Sequence, residues 1–297
     1  MQVAVNVSNP LEMPYRTGAY LIYDKGAADN FRSANGLSEH PYRASGSHQL
    51  DFREFANVLY DKVIKSHRPS TIYLVDLREE THGFFDGVAV SWYADNDFAN
   101  VGQSKKWITT DEKARLGALT GRTTQVFTIT DDPCDDRGQE RVTPVRYTDR
   151  PVGAAYNEAE VATMLTAEFK GTRVEYVRIP LTDHCAPSDA GLEELRELWK
   201  KVSGNDWVHF HCHGGDGRTT TFLALYDMLC WKKSGAPLPS LEQFACRQCQ
   251  LFAYCLDPDG CDCPGRQWLP PIAGWKRPLA EKRWARIEEF RQSLGGR

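Results

Sequence analysis

The distribution of apolar and polar positions predicts strands that alternate with helices along much of the chain. Short apolar runs predict buried strands at Thr71–Leu77, Val88–Trp92, Arg173–Ile179 and Trp207–Phe210. Capping residues and helical periodicity predict helices at Asp51–Ser66, Asn157–Phe169, Ser188–Val202, Thr219–Lys232, Leu241–Cys255 and Leu279–Leu294. This alternation indicates an α/β fold whose mostly parallel sheet is flanked by helices on both faces.

Residues 100–150 interrupt this rhythm. A short helix near Asp111–Leu119 is followed by the strands Thr124–Thr130 and Val142–Tyr147, which a polar loop at 131–141 joins. We therefore expect a small β-rich insertion at about 100–150. Residues 1–40, rich in Asn, Ser, Gly and Pro, predict an irregular N-terminal segment. A length of 297 residues is enough for one large α/β domain, or one domain with a small second lobe, and we expect 1–297 to be a single domain.

Charge and hydropathy narrow the class of protein. The formal net charge is -4, which argues against a nucleic-acid binder, and an anionic small-molecule ligand needs a local basic pocket. No apolar run approaches the ~20 residues of a membrane span, and the N-terminus lacks the pattern of a signal peptide. We expect a soluble chain that is cytoplasmic, exported by another route, or a processed mature form.

The segment WVHFHCHGGDGRTTTFLALYDML, at 207–229, carries the strongest chemical signal. An apolar strand leads into Cys212, and Arg218 opens a helix six residues later. Gly214, Gly215 and Gly217 allow the intervening backbone to bend tightly and to approach a ligand. Such a loop at a helix N-terminus is typical of a phosphate site. A structural cysteine beside a surface arginine leaves the glycines unexplained.

The residue types in this loop suggest roles in phosphate-ester hydrolysis. The positive end of the helix stabilises a Cys212 thiolate, which is a nucleophile. Arg218 offers a planar fork to two phosphate oxygens, and Thr219 can donate a hydrogen bond to the sulfur. Thiolate, guanidinium and backbone N–H groups supply the electrostatics, so we expect no metal and no other cofactor.

The loop HCHGGDGRTT resembles the His-Cys-x5-Arg-Ser/Thr signature of the protein-tyrosine-phosphatase superfamily. The remaining chain is similar, more specifically, to the protein-tyrosine-phosphatase-like phytases of bacteria, the cysteine phytases. The blocks that carry this resemblance are YRASGSHQLDFREF (42–55), YLVDLREETHGFFDGVAVSWYADNDFANVG (73–102), RIPLTDHCAPS (178–188), LEQFACRQ (241–248) and WKRPLAEKRWARIEEF (275–290). They occur in family order over most of residues 40–293.

The resemblance implies a phosphatase α/β fold with a partial β-barrel, and the stepwise hydrolysis of myo-inositol polyphosphates such as phytate through a phosphocysteine. It implies that Asp183, in a Thr-Asp-His loop, is the general acid, although a turn or capping aspartate is the alternative from spacing alone. Two features depart from the family pattern. Asp216 stands where the family has an apolar residue, and a cysteine- and proline-rich segment at 255–274 stands where it supplies a substrate-binding lysine.

Further residues are candidates for orienting the loop or for binding substrate. His211 is expected to orient the loop through a backbone hydrogen bond, whereas His184 and His213 are expected at the rim; each histidine has a structural alternative. Because phytate is highly anionic, several bases must line the pocket. Arg43, Lys276 and Arg277 are our first candidates by position in the matching blocks, and Lys105, Lys106, Lys282 and Arg283 are second. Arg78 is expected to position the general-acid loop from a structural network at Asp76–Glu79.

Five of the nine cysteines fall within 246–263: Cys246, Cys249, Cys255, Cys261 and Cys263. Their spacing allows unpaired buried thiols, a disulfide, or a four-cysteine zinc site.

Three other functions compete with an inositol-polyphosphate phosphatase. A protein tyrosine or dual-specificity phosphatase would use the same loop, with a narrow pocket that has an aromatic wall. A phosphate-binding interaction module that has lost catalysis is disfavoured by the presence of Cys212, Arg218 and Asp183. A zinc-stabilised adaptor would depend on the cysteine cluster.

Overall fold

Two β-sheets organise the protein in a computed structural model, which describes residues 19–24, 30–37, 39–133, 140–264 and 267–296. The strands are β1 (Tyr20–Tyr23), β2 (Arg32–Ser33), β3 (Ala44–Ser47), β4 (Thr71–Arg78), β5 (His82–Phe85), β6 (Val88–Tyr93), β7 (Arg122–Pro133), β8 (Glu140–Val152), β9 (Ala155–Tyr156), β10 (Arg173–Leu181) and β11 (Trp207–His211). The helices are α1 (Phe52–Leu59), α2 (Lys65–His67), α3 (Lys105–Leu119), α4 (Glu158–Glu168), α5 (Asp189–Lys201), α6 (Gly217–Ser234), α7 (Leu241–Leu251) and α8 (Arg277–Ser293). A π-helical turn at Tyr60–Ile64 joins α1 to α2.

The five-stranded sheet has the order β10-β4-β11-β3-β2, and every pair except β2–β3 is parallel. The expected mostly parallel sheet with helices on both faces is therefore confirmed. Alternation along β4 divides its side chains between two cores, because Ile72 and Leu74 pack with α1 and α4 whereas Tyr73 and Val75 pack with α5 and α6. Burial on both faces explains why β4 is a continuous apolar run.

The six-stranded sheet has the order β8-β7-β1-β6-β5-β9 and is antiparallel except at β1–β7. Its β7–β8 hairpin lies where we expected a β-rich insertion. Four further strands from outside 100–150 complete the sheet, and the order of the described strands is open rather than closed into a barrel. Residues 134–139 of the expected polar loop lie outside the described residues.

Several boundaries differ from the sequence-based expectation. The segment 1–40, expected to be irregular, contributes β1 and β2, which are too short for a period to be visible in the sequence. Helix α7 ends at Leu251 rather than at Cys255, because the next residues turn into a segment that disulfides hold. The capping residues Asn157 and Ser188 begin α4 and α5 as predicted.

The cysteine cluster contains two disulfides, Cys246–Cys263 and Cys255–Cys261. Of the three alternatives, the unpaired-thiol and zinc arrangements therefore do not describe these four residues. Cys249 is buried beside them and belongs to neither disulfide, and its thiol donates to the Tyr254 carbonyl oxygen at 3.4 Å. Between α7 and α8 the described chain has little regular structure. Cys246–Cys263 ties this segment to α7, and Cys255–Cys261 closes a loop within it.

In the part of the chain that the structure describes, no helix combines the length and the apolar character that crossing a bilayer requires.

The crosslinks give a stability prediction. Loop-closure entropy assigns about 3 kcal/mol of unfolding free energy to Cys246–Cys263, with a separation of 17 residues, and about 2 kcal/mol to Cys255–Cys261, with a separation of 6. We expect a Cys246→Ala/Cys263→Ala variant to lose about the first amount in urea unfolding under oxidising conditions, and to respond less than wild type to a dithiol reductant.

A Cys230→Ala variant, which removes a free thiol, should keep the full response to reductant. Equal stability of the oxidised and reduced wild-type protein would contradict the crosslinks.

Candidate active site

The loop that joins β11 to α6 lies at the carboxyl edge of the parallel sheet. Strands β3, β4 and β10 run in the same direction as β11 and end at this edge, at Ser47, Arg78 and Leu181. Loops that follow parallel strands meet at this edge, which brings segments distant in sequence together. Cys212 is the first residue after β11, and Gly217 is the first residue of α6.

The Cys212 thiol is nearly enclosed, with the residue 2% exposed. Its Sγ accepts hydrogen bonds from the Gly215 N–H and from Thr219 Oγ1, each at 3.2 Å. Thr219 therefore contacts the sulfur as its position in the loop predicts. Two hydrogen-bond donors are thus aimed at one sulfur, which lies just before the N-terminus of α6.

The bend of the loop requires glycine at 215. Gly215 has φ +76°, and a Cβ there would lie 2.4 Å from both the His48 nitrogen and Asn30 Nδ2. At Gly217 a Cβ would meet Arg283 and Tyr254 at 3.1 Å, whereas Gly214 has open space around it. The glycine-rich sequence thus permits close packing on one side of the loop and leaves the other side open.

Arg218 is buried among carboxylates. Its Nη1 lies 2.6 Å from Glu80 Oε2, and its Nη2 lies 3.1 Å from both Glu80 Oε1 and Asp97 Oδ2. Burial by itself lowers the pKa of Arg218, but Asp183 and Glu80 raise it well above its ordinary value. The guanidinium is therefore a fixed positive charge beside Cys212.

Asp183 lies in the loop after β10 and faces the same arginine. Its Oδ1 is 3.1 Å from Arg218 Nε and accepts the His184 N–H at 3.0 Å. Burial raises the pKa of Asp183, yet Arg218 and His184 lower it below its ordinary value. His184 has the left-handed φ of 61°, and its ring meets Trp275 edge-on at 5.1 Å. In the free site Asp183 is thus an ionised partner of Arg218.

His213 lies in a second set of charges beneath the loop. Its ring nitrogens are 3.3 Å from Asp24 and 3.5 Å from Asp97. Burial alone lowers the pKa of His213, but the adjacent Asp24 raises it to about 10. Burial and the neighbouring Glu80 raise the pKa of Asp97 to about 6. The side chain of His213 therefore serves as a cation within the protein, while its carbonyl oxygen accepts the Gln49 N–H.

Within the part of the chain that the structure describes, the His211 ring makes no hydrogen bond to the backbone of the loop, contrary to expectation. Alternation along β11 sends Phe210 and Cys212 to one face of the sheet and His211 to the other. There the ring lies 2.7 Å from Glu158 and edge-on to Phe55. His211 thus anchors the end of β11 to helix α4.

A cavity of about 380 Å³ opens above Cys212. Its lining consists of Asp183, His184, Cys212, Gly214, Asp216, Gly217, Ala253, Tyr254, Cys255, Leu269, Pro270, Ile272, Lys276, Ala280 and Arg283. Polar groups from the loop between β11 and α6 and from α8 line this cavity, together with apolar side chains of the segment between α7 and α8.

Two of the predicted outer contacts are wrong. Arg43 precedes β3 and so lies at the amino edge of the sheet, where it donates to backbone carbonyls of His67, Asn205 and Asp206. Only the carboxyl end of β3, at Ser47, lies beside the loop, and for this reason the position of Arg43 in a matching sequence block was misleading.

Arg277 also lies outside the cavity lining, since it pairs with Asp259 at 2.5 Å and with Glu281 at 2.6 Å. Lys276 does line the cavity. So does Arg283, which was only a second choice, whereas Lys105 pairs with Glu194 at 2.7 Å. Lys106 and Lys282 are not among the lining residues. Positions 276 and 283 are seven residues apart and share a helix face, so the helical period favours Arg283 over Arg277.

The sequence reasoning missed two residues that brace the loop from behind. Arg32 donates to the Gly215 carbonyl oxygen at 2.6 Å and to Thr220 Oγ1 at 2.9 Å, and Asn30 donates to the Gly214 carbonyl oxygen at 2.8 Å. Burial lowers the pKa of Arg32 to about 10. Arg32 lies in the two-residue strand β2 and Asn30 lies just before it, so no periodic signal in the sequence would have identified either residue.

Arg78 was expected to contact the loop that contains Asp183, but its side chain pairs with two other carboxylates instead. Arg78 binds Asp24 at 2.7 Å and Glu80 at 2.6 Å, because its side chain points between the two sheets. Glu79 instead reaches the loop and accepts the Thr182 hydroxyl at 2.5 Å.

Comparison with known proteins places this geometry in a family. Effector protein hopD2 of Pseudomonas syringae pv. tomato is 26% identical over 275 residues, which cover 89% of this chain and 53% of that protein. The chain thus spans about half the length of this relative.

Solved structures of two phosphatases resemble this chain over nearly its full length. The myo-inositol phosphatase from Mitsuokella multacida, in complex with myo-inositol-(1,3,4,5)-tetrakisphosphate, matches with a TM-score of 0.71 and 26% identity over 95% of this chain and 47% of that chain. A phytase of the same type from Bdellovibrio bacteriovorus matches with a TM-score of 0.65 and 25% identity over 96% and 93% of the two chains.

The family model of the protein-tyrosine-phosphatase-like phytases matches residues 75–230, and the description of that family is "inositol hexakisphosphate". This match spans more than half of the 297 residues and contains Cys212, Arg218 and Asp183. The chain belongs to the protein-tyrosine-phosphatase-like phytase family.

Proposed function

We propose that this protein is a phosphomonoesterase that removes phosphate from myo-inositol polyphosphates, phytate among them, through a phosphocysteine at Cys212. The observation that carries the proposal is the arrangement of three groups at one site. A sulfur with two hydrogen-bond donors and a carboxylate line the cavity, and a buried guanidinium lies 3.1 Å from that carboxylate. These are the groups that a two-step displacement at phosphorus needs.

In the first step the Cys212 thiolate attacks phosphorus. A P–S bond forms, the P–O bond to the inositol breaks, and the leaving oxygen takes a proton from Asp183. Arg218 and the N-terminus of α6 stabilise the charge on the phosphoryl oxygens. Proton donation matters because an inositol alkoxide is a poor leaving group.

Asp183 must be protonated to act as the acid, although Arg218 keeps it ionised in the free site. A bound phosphate competes for the Arg218 guanidinium and brings negative charge next to the carboxylate. Both effects raise the pKa of Asp183, so the substrate itself promotes protonation of the acid.

In the second step water attacks phosphorus and passes a proton to the Asp183 carboxylate. The P–S bond breaks, which releases inorganic phosphate and restores the thiolate. The same residue thus serves as acid and then as base.

The preference for a substrate with more than one phosphate rests on Arg283. The residue is 2% exposed and donates to the Tyr254 hydroxyl at 2.9 Å. Its Nε has no hydrogen-bond partner, and no carboxylate pairs with it among the described residues. A buried, unpaired charge is costly, and a second phosphate in the cavity would compensate it. Lys276 lies on the same side of α8 and adds positive charge.

The family and the solved complex point to the same substrate class. The Mitsuokella phosphatase structure contains a myo-inositol tetrakisphosphate, and the family model is described by inositol hexakisphosphate. A phosphotyrosine peptide brings an aromatic ring to the cavity but not a second phosphate on that ring, so it leaves Arg283 uncompensated. Relative kcat/KM for phytate and for such a peptide separates the two substrate classes.

The assignment of Asp183 predicts a dependence on the leaving group. We expect Asp183→Asn to lower kcat with an inositol polyphosphate by about 100- to 10,000-fold, the range of general acid catalysis. With an activated aryl phosphate the loss should be much smaller, because the phenolate leaves without a proton. The measurement is kcat for both substrates with both enzymes. Equal losses on the two substrates would show that Asp183 is not the proton donor.

The assignment of Arg283 predicts a dependence on the number of phosphates. We expect Arg283→Gln to lower kcat/KM for an inositol polyphosphate by about ten- to a hundredfold, since a hydrogen-bonded charge contributes about 1.5–3 kcal/mol. The effect on an aryl monophosphate should be smaller.

Arg277→Gln is the matched control, on the same helix but outside the cavity, and should leave the ratio of the two kcat/KM values unchanged. If Arg277→Gln rather than Arg283→Gln changes that ratio, the second phosphate lies elsewhere.

A further inference from the structure

Asp216 is the residue of the loop that phosphate binding does not explain. It lines the cavity together with Cys212 and Asp183, at the end of the loop where α6 begins. An aspartate before a helix usually caps it by accepting a backbone N–H. Asp216 makes no such side-chain hydrogen bond, so capping does not account for the carboxylate.

Asp216 lies at the rim of the cavity and is exposed to solvent, with Arg32 and Asn30 on the inner side of the loop. The buried Arg32 attracts the Asp216 carboxylate from behind the loop, and the Asn30 side chain also favours its charged form. Burial raises the pKa of Asp216, Arg32 opposes this shift, and the nearby Asp183 adds to it. Arg32 and Asn30 also hold the loop carbonyls of Gly214 and Gly215. The groups that act on the Asp216 carboxylate are therefore the same ones that hold the backbone of the loop.

A carboxylate at this position can distinguish a hydroxyl from a phosphate on the ring carbon next to the one that carries the scissile phosphate. It accepts hydrogen bonds from a hydroxyl and repels a second phosphate. On an inositol ring the group next to the scissile phosphate is one or the other. The cations that line the cavity, Lys276 and Arg283, belong to α8 and its preceding turn rather than to this loop.

We propose that Asp216 is a specificity-determining residue that favours cleavage of a phosphate whose ring neighbour is a free hydroxyl, and disfavours one flanked by phosphate. The proposal rests on the proposed function and makes it more specific. It assigns to the enzyme partly dephosphorylated inositol phosphates in preference to the hexakisphosphate. Lys276 and Arg283 then take a phosphate farther round the ring.

The test is the ratio of kcat/KM for two substrates. One is an inositol trisphosphate in which every phosphate has hydroxyls on both neighbouring carbons, and the other is the hexakisphosphate. For wild type we expect a ratio of about ten or more in favour of the trisphosphate, and for Asp216→Asn a ratio lower by about tenfold, the effect of one screened like-charge contact. Asp216→Glu, which keeps the charge, should retain most of the wild-type ratio.

Controls make each outcome decisive. Asp149→Asn removes one negative charge from an exposed position on β8 and should leave the ratio unchanged. Because both substrates are measured on one preparation, a fraction of unfolded Asp216→Asn does not alter its ratio, and Asp216→Ser provides a second uncharged variant. An unchanged ratio in both uncharged variants, or a wild-type preference for the hexakisphosphate, would overturn the proposal. If wild type cleaves an aryl phosphate but neither inositol phosphate, the proposed function fails and this proposal fails with it.

Discussion

The ion pair between Glu80 and Arg218 is the constraint on which the site depends. Glu80 lies between the end of β4 and the start of β5, and so between the two sheets. Its two oxygens bind Arg218 at 2.6 and 3.1 Å, while Oε1 also binds Arg78 at 2.6 Å. One carboxylate thus fixes the guanidinium of the phosphate-type loop against both sheets. Removing one partner of such a buried pair typically costs about 3–5 kcal/mol, because the other charge is left uncompensated.

The remaining charges around the loop follow from this pair. Asp97 contacts Arg218 and His213, and His213 contacts Asp24, which Arg78 also binds. Each charge is buried and has a partner of opposite sign, as burial demands. The network fixes the Arg218 side chain before substrate arrives, so the site needs little reorganisation when charge develops on phosphorus. Arg283 is different, since no carboxylate among the described residues pairs with it, which is why we assign it to the substrate.

The sequence predicted the part of the site that is local in the chain. Cys212, Gly215, Arg218 and Thr219 lie within eight residues, and the strand and helix on either side fix their geometry. The residues that brace or extend the loop come from far away: Arg32 is 183 residues from its partner Gly215. Such contacts depend on which end of a strand faces the site. The expectation for Arg43 was wrong because this residue lies at the amino end of β3, away from the site. The helical period carried a usable signal for Arg283, because Arg283 lies on the side of α8 that continues from Lys276, the residue before this helix, whereas Arg277 does not.

The phosphocysteine is the central claim, and rapid quenching tests it most directly. Enzyme mixed with an excess of an activated aryl phosphate and quenched in acid within the first turnover should carry one phosphoryl group on the peptide that contains Cys212. A Cys212→Ser variant should carry none, while still binding inositol hexakisphosphate in a direct binding measurement, because the hydroxyl nearly matches the thiol in size but is hardly ionised. Phosphate release by wild type without a labelled Cys212 peptide, or turnover by Cys212→Ser at a rate near that of wild type, would contradict the account.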